Sequence, residues 1–401
     1  MEQQAGKQPI DCVKIAKDMF DLVRKNAAEI EEKRRLTDAV LDALQQSGMY
    51  SVNVPDEFGG TSPSPRAQCE AIEELSRADG SVGWCFMVST GFNWQVGHDF
   101  GSQAMDEAFA DISKHVAGSF MPSVMAKPVD GGYIINGQSK YNSNVYGSGF
   151  KFVNAMIQDP SKPANIKAGE MPEIRAMLVP DADCEIVDIW NVLGLRGSGS
   201  NDVRIVNKFV PAHRTINVTE SIHKPESALN SPIYRLPYIP WTAFHTAAVA
   251  VGIAQAAYEH FVRHVKSKVM LSNKLQSQAA FPSTKFAIAD VATSIRAART
   301  HLLMTADECW EIAQSGRAFT LEEQAHMQMA AYHATDVSVR AVQQIFTVCG
   351  GGAIFDSNPI QKCLRDVLCV RQHLSVSPDR SLASISRRLL ELPLEPHQPF
   401  D

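Results

Sequence analysis

The feature that most constrains this chain is a change of period. Apolar residues keep helical spacing on both sides of a central stretch, about 116–225, where they do not. In the first zone Ile15, Met19, Leu22 and Val23 recur on one helical face. Thr37 is placed to cap a second helix striped by Val40, Leu41 and Leu44, and Gly48 to stop it. Residues 50–61, with Pro55 and Gly59-Gly60, read as extended and turning. Helical pattern resumes near Ala67 and runs with breaks to His115. In the central zone short apolar runs at 133–135, 152–157, 174–179, 185–190 and 203–209 alternate with Gly, Pro, Asn and Asp clusters. That is strand-and-turn spacing and predicts a small antiparallel sheet or barrel. In the third zone Ala-rich stretches at 242–266, 283–315 and 321–348 contain few breakers, the mark of a helical bundle. Gly350-Gly351-Gly352 separates them from a helix starting near Pro359. The order predicts an α+β fold in three zones: 1–115 helical, 116–225 a small sheet or barrel, 226–401 a helical bundle and tail.

Composition narrows the function classes. The 401 residues carry a net charge of −6, with Lys and Arg scattered. This argues against an electrostatic grip on nucleic acid or anionic lipid. Residues 1–11 are polar and lack the apolar core of a secretory signal. The longest apolar candidate, 241–258, is interrupted by Thr242, His245, Thr246 and Gln255, which predicts a buried helix rather than a membrane span. Eight cysteines are widely spaced with no CxxC pair, which predicts reduced thiols in a cytoplasmic protein. No metal site is expected: there is no HExxH, and His260 and His264, one helical turn apart, read as a structural pair. GxGxxG, GxxxxGK[ST] and GxSxG are all missing, so a Rossmann site, a P-loop and a hydrolase elbow lack support.

Three polar segments remain. Tyr141-Asn142-Ser143-Asn144 precedes Gly147-Ser148-Gly149, and Gly194-Leu195-Arg196-Gly197-Ser198-Gly199-Ser200-Asn201-Asp202 lies in the same strand zone. Small residues let backbone N–H groups approach a planar polar ligand, and hydroxyls add donors. The same compositions also suit plain surface loops. In the third segment, beginning at Ser357-Asn358-Pro359, a continuous helix would put Arg365, Cys369 and His373 on one face at i, i+4 and i+8.

Taken in order, four motifs make the chain similar to a known family. Val54-Pro55-Asp56-Glu57-Phe58-Gly59-Gly60 resembles the P-E-x-[YF]-G-G turn of acyl-CoA dehydrogenases. Ser76-Arg77-Ala78-Asp79-Gly80-Ser81-Val82-Gly83-Trp84 resembles the segment that follows it there. Gly131-Gly132-Tyr133-Ile134-Ile135-Asn136-Gly137 resembles the G-G-Y-x-[ILV]-[NS]-G strand, and Leu364-Arg365-Asp366 the late L-R-D. The resemblance implies an N-terminal helical domain, a middle β-barrel and a C-terminal four-helix bundle, commonly assembled as a homotetramer around flavin. Where dehydrogenases often place their glutamate base, this chain has Leu374, which accepts no proton. Gly350-Gly351-Gly352, Ser357-Asn358-Pro359-Ile360-Gln361-Lys362, Arg365-Asp366 and His373, with Arg196-Gly197-Ser198-Gly199-Ser200-Asn201-Asp202-Val203, are more similar to group D oxygenases, one half of two-component flavin monooxygenases.

That closer resemblance implies a function. A separate NAD(P)H:flavin reductase would supply reduced flavin, FMNH2 or FADH2, and its C4a-hydroperoxide with O2 would oxygenate a small substrate. The catalytic pair implied is His373, the titratable group near the oxygen, and Ser143, near flavin N5. Flavin would meet Ser143, Asn144, Arg196, Gly197, Ser198, Gly199, Ser200, Asn201, Gly350 and Gly351. Lys268 stands where dehydrogenases often use an arginine for the flavin phosphate. Substrate would meet Phe92, Asn93, Trp94 and His373. Phenol-hydroxylating members often carry a histidine at the Phe92 position, and Phe92 neither binds a phenolate nor shuttles a proton. With Trp94 it favours an aromatic or heteroaromatic ring. Two other readings are an acyl-CoA dehydrogenase with a relocated base and a non-catalytic flavin-fold binding protein.

Overall fold

The computed structural model describes residues 10–158, 172–218, 231–270 and 276–392. The first helix, α1 (Cys12–Lys33), starts where the Asp11 carboxylate accepts the Lys14 N–H and ends at Arg34 in a left-handed conformation. Then come α2 (Asp38–Gln46), stopped by left-handed Gly48 as the sequence predicts, and α3 (Pro65–Ala78). Thr37 stands at the N-cap of α2, but its hydroxyl turns to Asn26 instead. Asp79 makes a hard corner: it ends α3 and caps α4 (Gly80–Asp99) by accepting the N–H groups of Ser81 and Val82. α5 (Ser102–Ala108) leads to the sheet.

The sheet has seven strands: β1 (Val116–Val129), β2 (Gly132–Asn142), β3 (Phe150–Ile157), β4 (Ile174–Pro180), β5 (Glu185–Val187), β6 (Asn201–Pro211) and β7 (Thr215–Asn217), in the order β5-β6-β2-β1-β3-β4-β7. The sequence predicts antiparallel pairing throughout, and here the structure differs. β1 and β3 pair in parallel. β2 hairpins back along one edge of β1, and the chain then crosses through residues 143–149 to run β3 up the other edge. That crossover carries Ser143 and Asn144. The expected run 185–190 is a strand only to Val187. Beyond it, the Ile189 and Trp190 N–H groups donate to the Asn201 side chain, not to a neighbouring strand.

The third zone holds α6 (Tyr238–Ser267), a short hairpin of β8 (Val269–Met270) and β9 (Gln276–Ser277), then α7 (Pro282–Ser315), α8 (Leu321–Cys349), α9 (Pro359–Val370) and α10 (Pro378–Leu389). The expected surface tail, 393–401, lies outside the described residues. Among the described residues no helix is long and apolar enough to cross a membrane, and most of 241–258 lies buried in α6. One apolar core runs from α1 and α3 through α6 to α8, so the two helical zones are packed together. Smaller cores line the α4–α5 side of the sheet and its interior. α9 ends at Val370, so His373 lies beyond the helix. The i, i+4, i+8 face expected for Arg365, Cys369 and His373 therefore does not form.

Candidate active site

α4 is buried on almost every side. The residues that escape full burial are Val88, Gly91, Gln95 and His98, spaced along one helical stripe that Trp84 begins. Nothing lies within 4 Å of where a Gly91 side chain would start. The stripe is the face of α4 that its neighbours leave incompletely covered.

At its head, Trp84 joins the two residues implied to be catalytic. Its indole N–H donates to Ser143 Oγ at 3.1 Å, and its ring meets His373 edge-on, centroids 5.4 Å apart. Ser143 Oγ lies 2.8 Å from Ser200 Oγ, which lies 2.7 Å from Ser198 Oγ, a continuous row of three hydroxyls. His373 is half-buried, with Nδ1 2.8 Å from Ser375 Oγ. Loss of solvation pushes its pKa down to about 4, so the ring is neutral near pH 7.

The loops that present these groups are tightly built. Asn144 adopts a left-handed backbone, and its amide donates to Tyr50 and Ser89. Its N–H donates to the Ser198 carbonyl, tying the crossover to residues 196–200. Its carbonyl accepts from His115 Nε2 at 2.7 Å. A carbonyl only accepts, so this fixes the His115 tautomer, and burial holds His115 neutral with a pKa near 3. Gly194 and Gly197 are there for close approach: a side chain would strike the α9 backbone at Arg365 from the first and Ile30 of α1 from the second.

A charged clasp holds the start of the same loop. The Leu195 N–H donates to Asp366 at 2.6 Å, and Arg365 donates to the Leu193 carbonyl at 2.7 Å. Lys362 meets Asp366 at 2.6 Å and Asp79 at 3.0 Å, and Arg365 meets Glu31 at 2.8 Å. Burial disfavours the Lys362 ammonium, but Asp366, Asp79 and Glu31 more than offset it and raise its pKa. L-R-D is thus a joint between α1, α4, α9 and the loop.

The remaining sequence-derived residues fall in three places. The Asn93 amide donates to the backbone carbonyls of Tyr50 and Val52, inside the N-terminal helices. Trp94 donates to the Ile233 carbonyl and stacks against His98, Tyr234 and Tyr238. Phe92 stacks on Phe120 at 4.9 Å and leans on Phe152. Arg196 is exposed, donating to the Val192 carbonyl, and Asn201 spends its side chain on residues 189–190 and Tyr146. Gly199 takes the left-handed turn between Ser198 and Ser200. Lys268 donates to the Cys349 carbonyl beside Gly350, and nothing lies within 4 Å of a side chain built at Gly351. This corner is ~33 Å along α6 from Thr246, which touches Ser375.

Sequence reasoning missed Trp84, Gln95, Thr246 and Ser375 as site residues. Trp84 closes a quoted motif, and the stripe it heads was open to a periodicity test. Nothing local marks Thr246, whose contact with Ser375 spans 129 positions.

Two family models match the chain: "Acyl-CoA dehydrogenase, N-terminal domain" over residues 16–111 and "Acyl-CoA dehydrogenase, C-terminal domain" over 244–378. The oxygenase subunit HsaA, a flavin-dependent monooxygenase of Mycobacterium tuberculosis, is 28% identical over 378 residues, 92% of this chain and 93% of that protein. The oxygenase component of an FADH2-dependent resorcinol hydroxylase from a Rhizobium species is 28% identical over 388 residues, 93% of this chain and 92% of its own. The solved HsaA structure superposes with a TM-score of 0.84 at 26% identity, covering 96% of this chain and 99% of that one. The chain belongs to the acyl-CoA dehydrogenase family, on the branch occupied by flavin-dependent monooxygenases.

Proposed function

We propose that this chain is the oxygenase component of a two-component monooxygenase, oxygenating a small aromatic or heteroaromatic substrate with reduced flavin and O2. The observation that carries this reading is the meeting of Ser143 and His373 on one indole, Trp84, at the head of the incompletely covered stripe of α4. The donor set fits a flat polar heterocycle: neutral hydroxyls at Ser143, Ser198 and Ser200, backed by a backbone turn that glycines bring close. When bound, reduced flavin supplies activation of O2 and transfer of one oxygen atom. The chain's own groups do the rest. Ser143 hydrogen-bonds the flavin edge, with Trp84 fixing the direction of its hydroxyl. His373, neutral because burial disfavours its charged form, takes a proton from the substrate at its free ring nitrogen. Phe92 and Phe120 supply flat apolar contact, and Gln95, whose buried Oε1 has no partner among the described residues, supplies a polar one.

The relatives' names imply a separate flavin reductase as partner. The Lys268–Gly350 corner lies too far along α6 to serve the same flavin ring. Our reading is that it completes the site of a second copy in a homotetramer, with the enzyme working in the cytoplasm. The acyl-CoA dehydrogenase alternative would need its carboxylate base on another element, because Leu374 accepts no proton.

The test is direct. Purified protein is mixed anaerobically with FMNH2 or FADH2 and indole, then exposed to ¹⁸O2. Label in the indole product supports the reading. No label, together with bleaching of bound oxidised flavin by an acyl-CoA, would support the dehydrogenase. No affinity for flavin in either redox state would leave only a binding protein.

A further inference from the structure

His373 has two ring nitrogens, and the fold distinguishes them. Nδ1 lies 2.8 Å from Ser375 Oγ. Ser375 Oγ lies 3.1 Å from Thr246 Oγ1, which lies 2.9 Å from the Thr242 carbonyl one turn earlier on α6. Ser375 and Thr246 are both buried. Nε2 has no hydrogen-bond partner among the described residues.

The last member of this row is a carbonyl, which only accepts. That end sets the direction of the whole row. Thr246 donates to Thr242, Ser375 donates to Thr246, and His373 Nδ1–H donates to Ser375. Every proton is used, and all three contacts are satisfied, the longest being the 3.1 Å between Ser375 and Thr246. The reverse direction wastes one. If Ser375 donates to Nδ1, the Thr246 proton serves either Ser375 or the Thr242 carbonyl, and the other contact goes without. One contact favours the reverse: the Ser375 backbone N–H, 3.4 Å from Nδ1, beyond the range of a good N–H bond.

We infer that Thr242, Thr246 and Ser375 position His373 as its Nδ1–H tautomer, leaving the lone pair on Nε2 free to accept a proton beside Trp84. Ser375 and Thr246 are thus positioning residues, acting through His373 and not on the substrate. The proton accounting is simple. A proton leaving the substrate is bound at Nε2, Nδ1–H stays bonded to Ser375, and the positive charge stays on the ring, stabilised by the aligned dipoles of the row. The functional meaning rests on the monooxygenase reading above, but the tautomer does not.

The experiment uses full-length protein labelled with ¹⁵N-histidine. Long-range ¹H–¹⁵N spectra at neutral pH distinguish the nitrogen that carries hydrogen, with His373→Gln assigning the signal. The expected result is Nδ1–H over Nε2–H by tenfold or more. Nε2–H in excess, or an even mixture, would overturn the inference whatever the enzyme does. In Ser375→Ala that excess should vanish, with kcat down about tenfold and KM within twofold. Ser375→Thr should restore both readouts. Should Ser375→Ala not fold, Thr246→Val removes the middle hydroxyl at nearly constant volume and must also weaken the excess; an unchanged tautomer there would overturn the row. A wild-type protein with the Nδ1–H signature and no oxygenation would instead sink the functional reading alone.

Discussion

The loop at 193–201 has charge at its start and hydroxyls at its end. At the start, Leu193 and Leu195 are held by Arg365 and Asp366, within a cluster that includes Lys362, Asp79 and Glu31. At the end, Ser198 and Ser200 join Ser143, Trp84 and the neutral ring of His373, a group with no full charge near pH 7. The contrast is chemical. Buried ions bind strongly when each has its partners, and they tolerate no loss, which suits a joint between helices. Neutral hydroxyls can reorient and exchange a partner for a ligand at small cost, which suits a site. The charge is therefore kept at the joint, and the site takes its geometry from it.

Removing one member from each cluster breaks the comparison in different ways. His373→Ala should lower product formation on the order of 10²–10⁴-fold while the protein stays folded and binds reduced flavin, read by turnover and by flavin titration. Unchanged product yield would take His373 out of the mechanism. Asp366→Ala should do the opposite and act first on stability, by about 3–5 kcal/mol in urea unfolding, because it takes one carboxylate from the buried Lys362 cluster and leaves the Leu195 N–H without an acceptor. A loss below about 1 kcal/mol would mean that the clasp does not hold the loop.

Ser143→Ala is a smaller lesion. It should raise hydrogen peroxide released per product by about tenfold, roughly one lost hydrogen bond to a polar group, with a stability loss of about 1–3 kcal/mol from the unpaired Trp84 N–H. Equal peroxide in both proteins would argue against a contact between Ser143 and flavin. The mildest test is pH. Burial lowers His373 from 6.5 to about 4, and His115 and His245 to about 3. As pH falls below about 6.5 the unfolded chain takes up protons that the folded one refuses, so stability declines. The His373 share of that decline levels off near pH 4. His373→Gln should flatten the slope between pH 6.5 and 4, and an identical slope would show that the ring is solvated in the folded state.

Much of the architecture was legible. The period change at 116 and the three Ala-rich stretches mark elements that the structure contains as β1 onward and as α6, α7 and α8. Pro359 does start α9, with Asn358 capping it. Local pattern failed where a long-range partner decides. The helical face for Arg365 and His373 assumed a helix through 373, yet α9 stops at Val370 and the chain turns so that His373 meets Trp84 and Ser375. Parallel pairing of β1 with β3 is likewise a matter of which edge β3 joins, and alternation within β3 carries no record of it.

By itself the sequence determined residue chemistry and local period: where helices give way to strands, where glycines permit close approach, and which hydroxyls and imidazoles the loops could offer. Those follow from side chains and their near neighbours. Tertiary structure alone decided which groups share a space. Trp84, Ser143, Ser200, Thr246 and His373 come from two helices, a crossover, a loop and a turn, and hydrogen bonds act only over a few ångströms. Which nitrogen of His373 carries its proton is settled at the far end of that row, by a carbonyl 131 positions away in the chain.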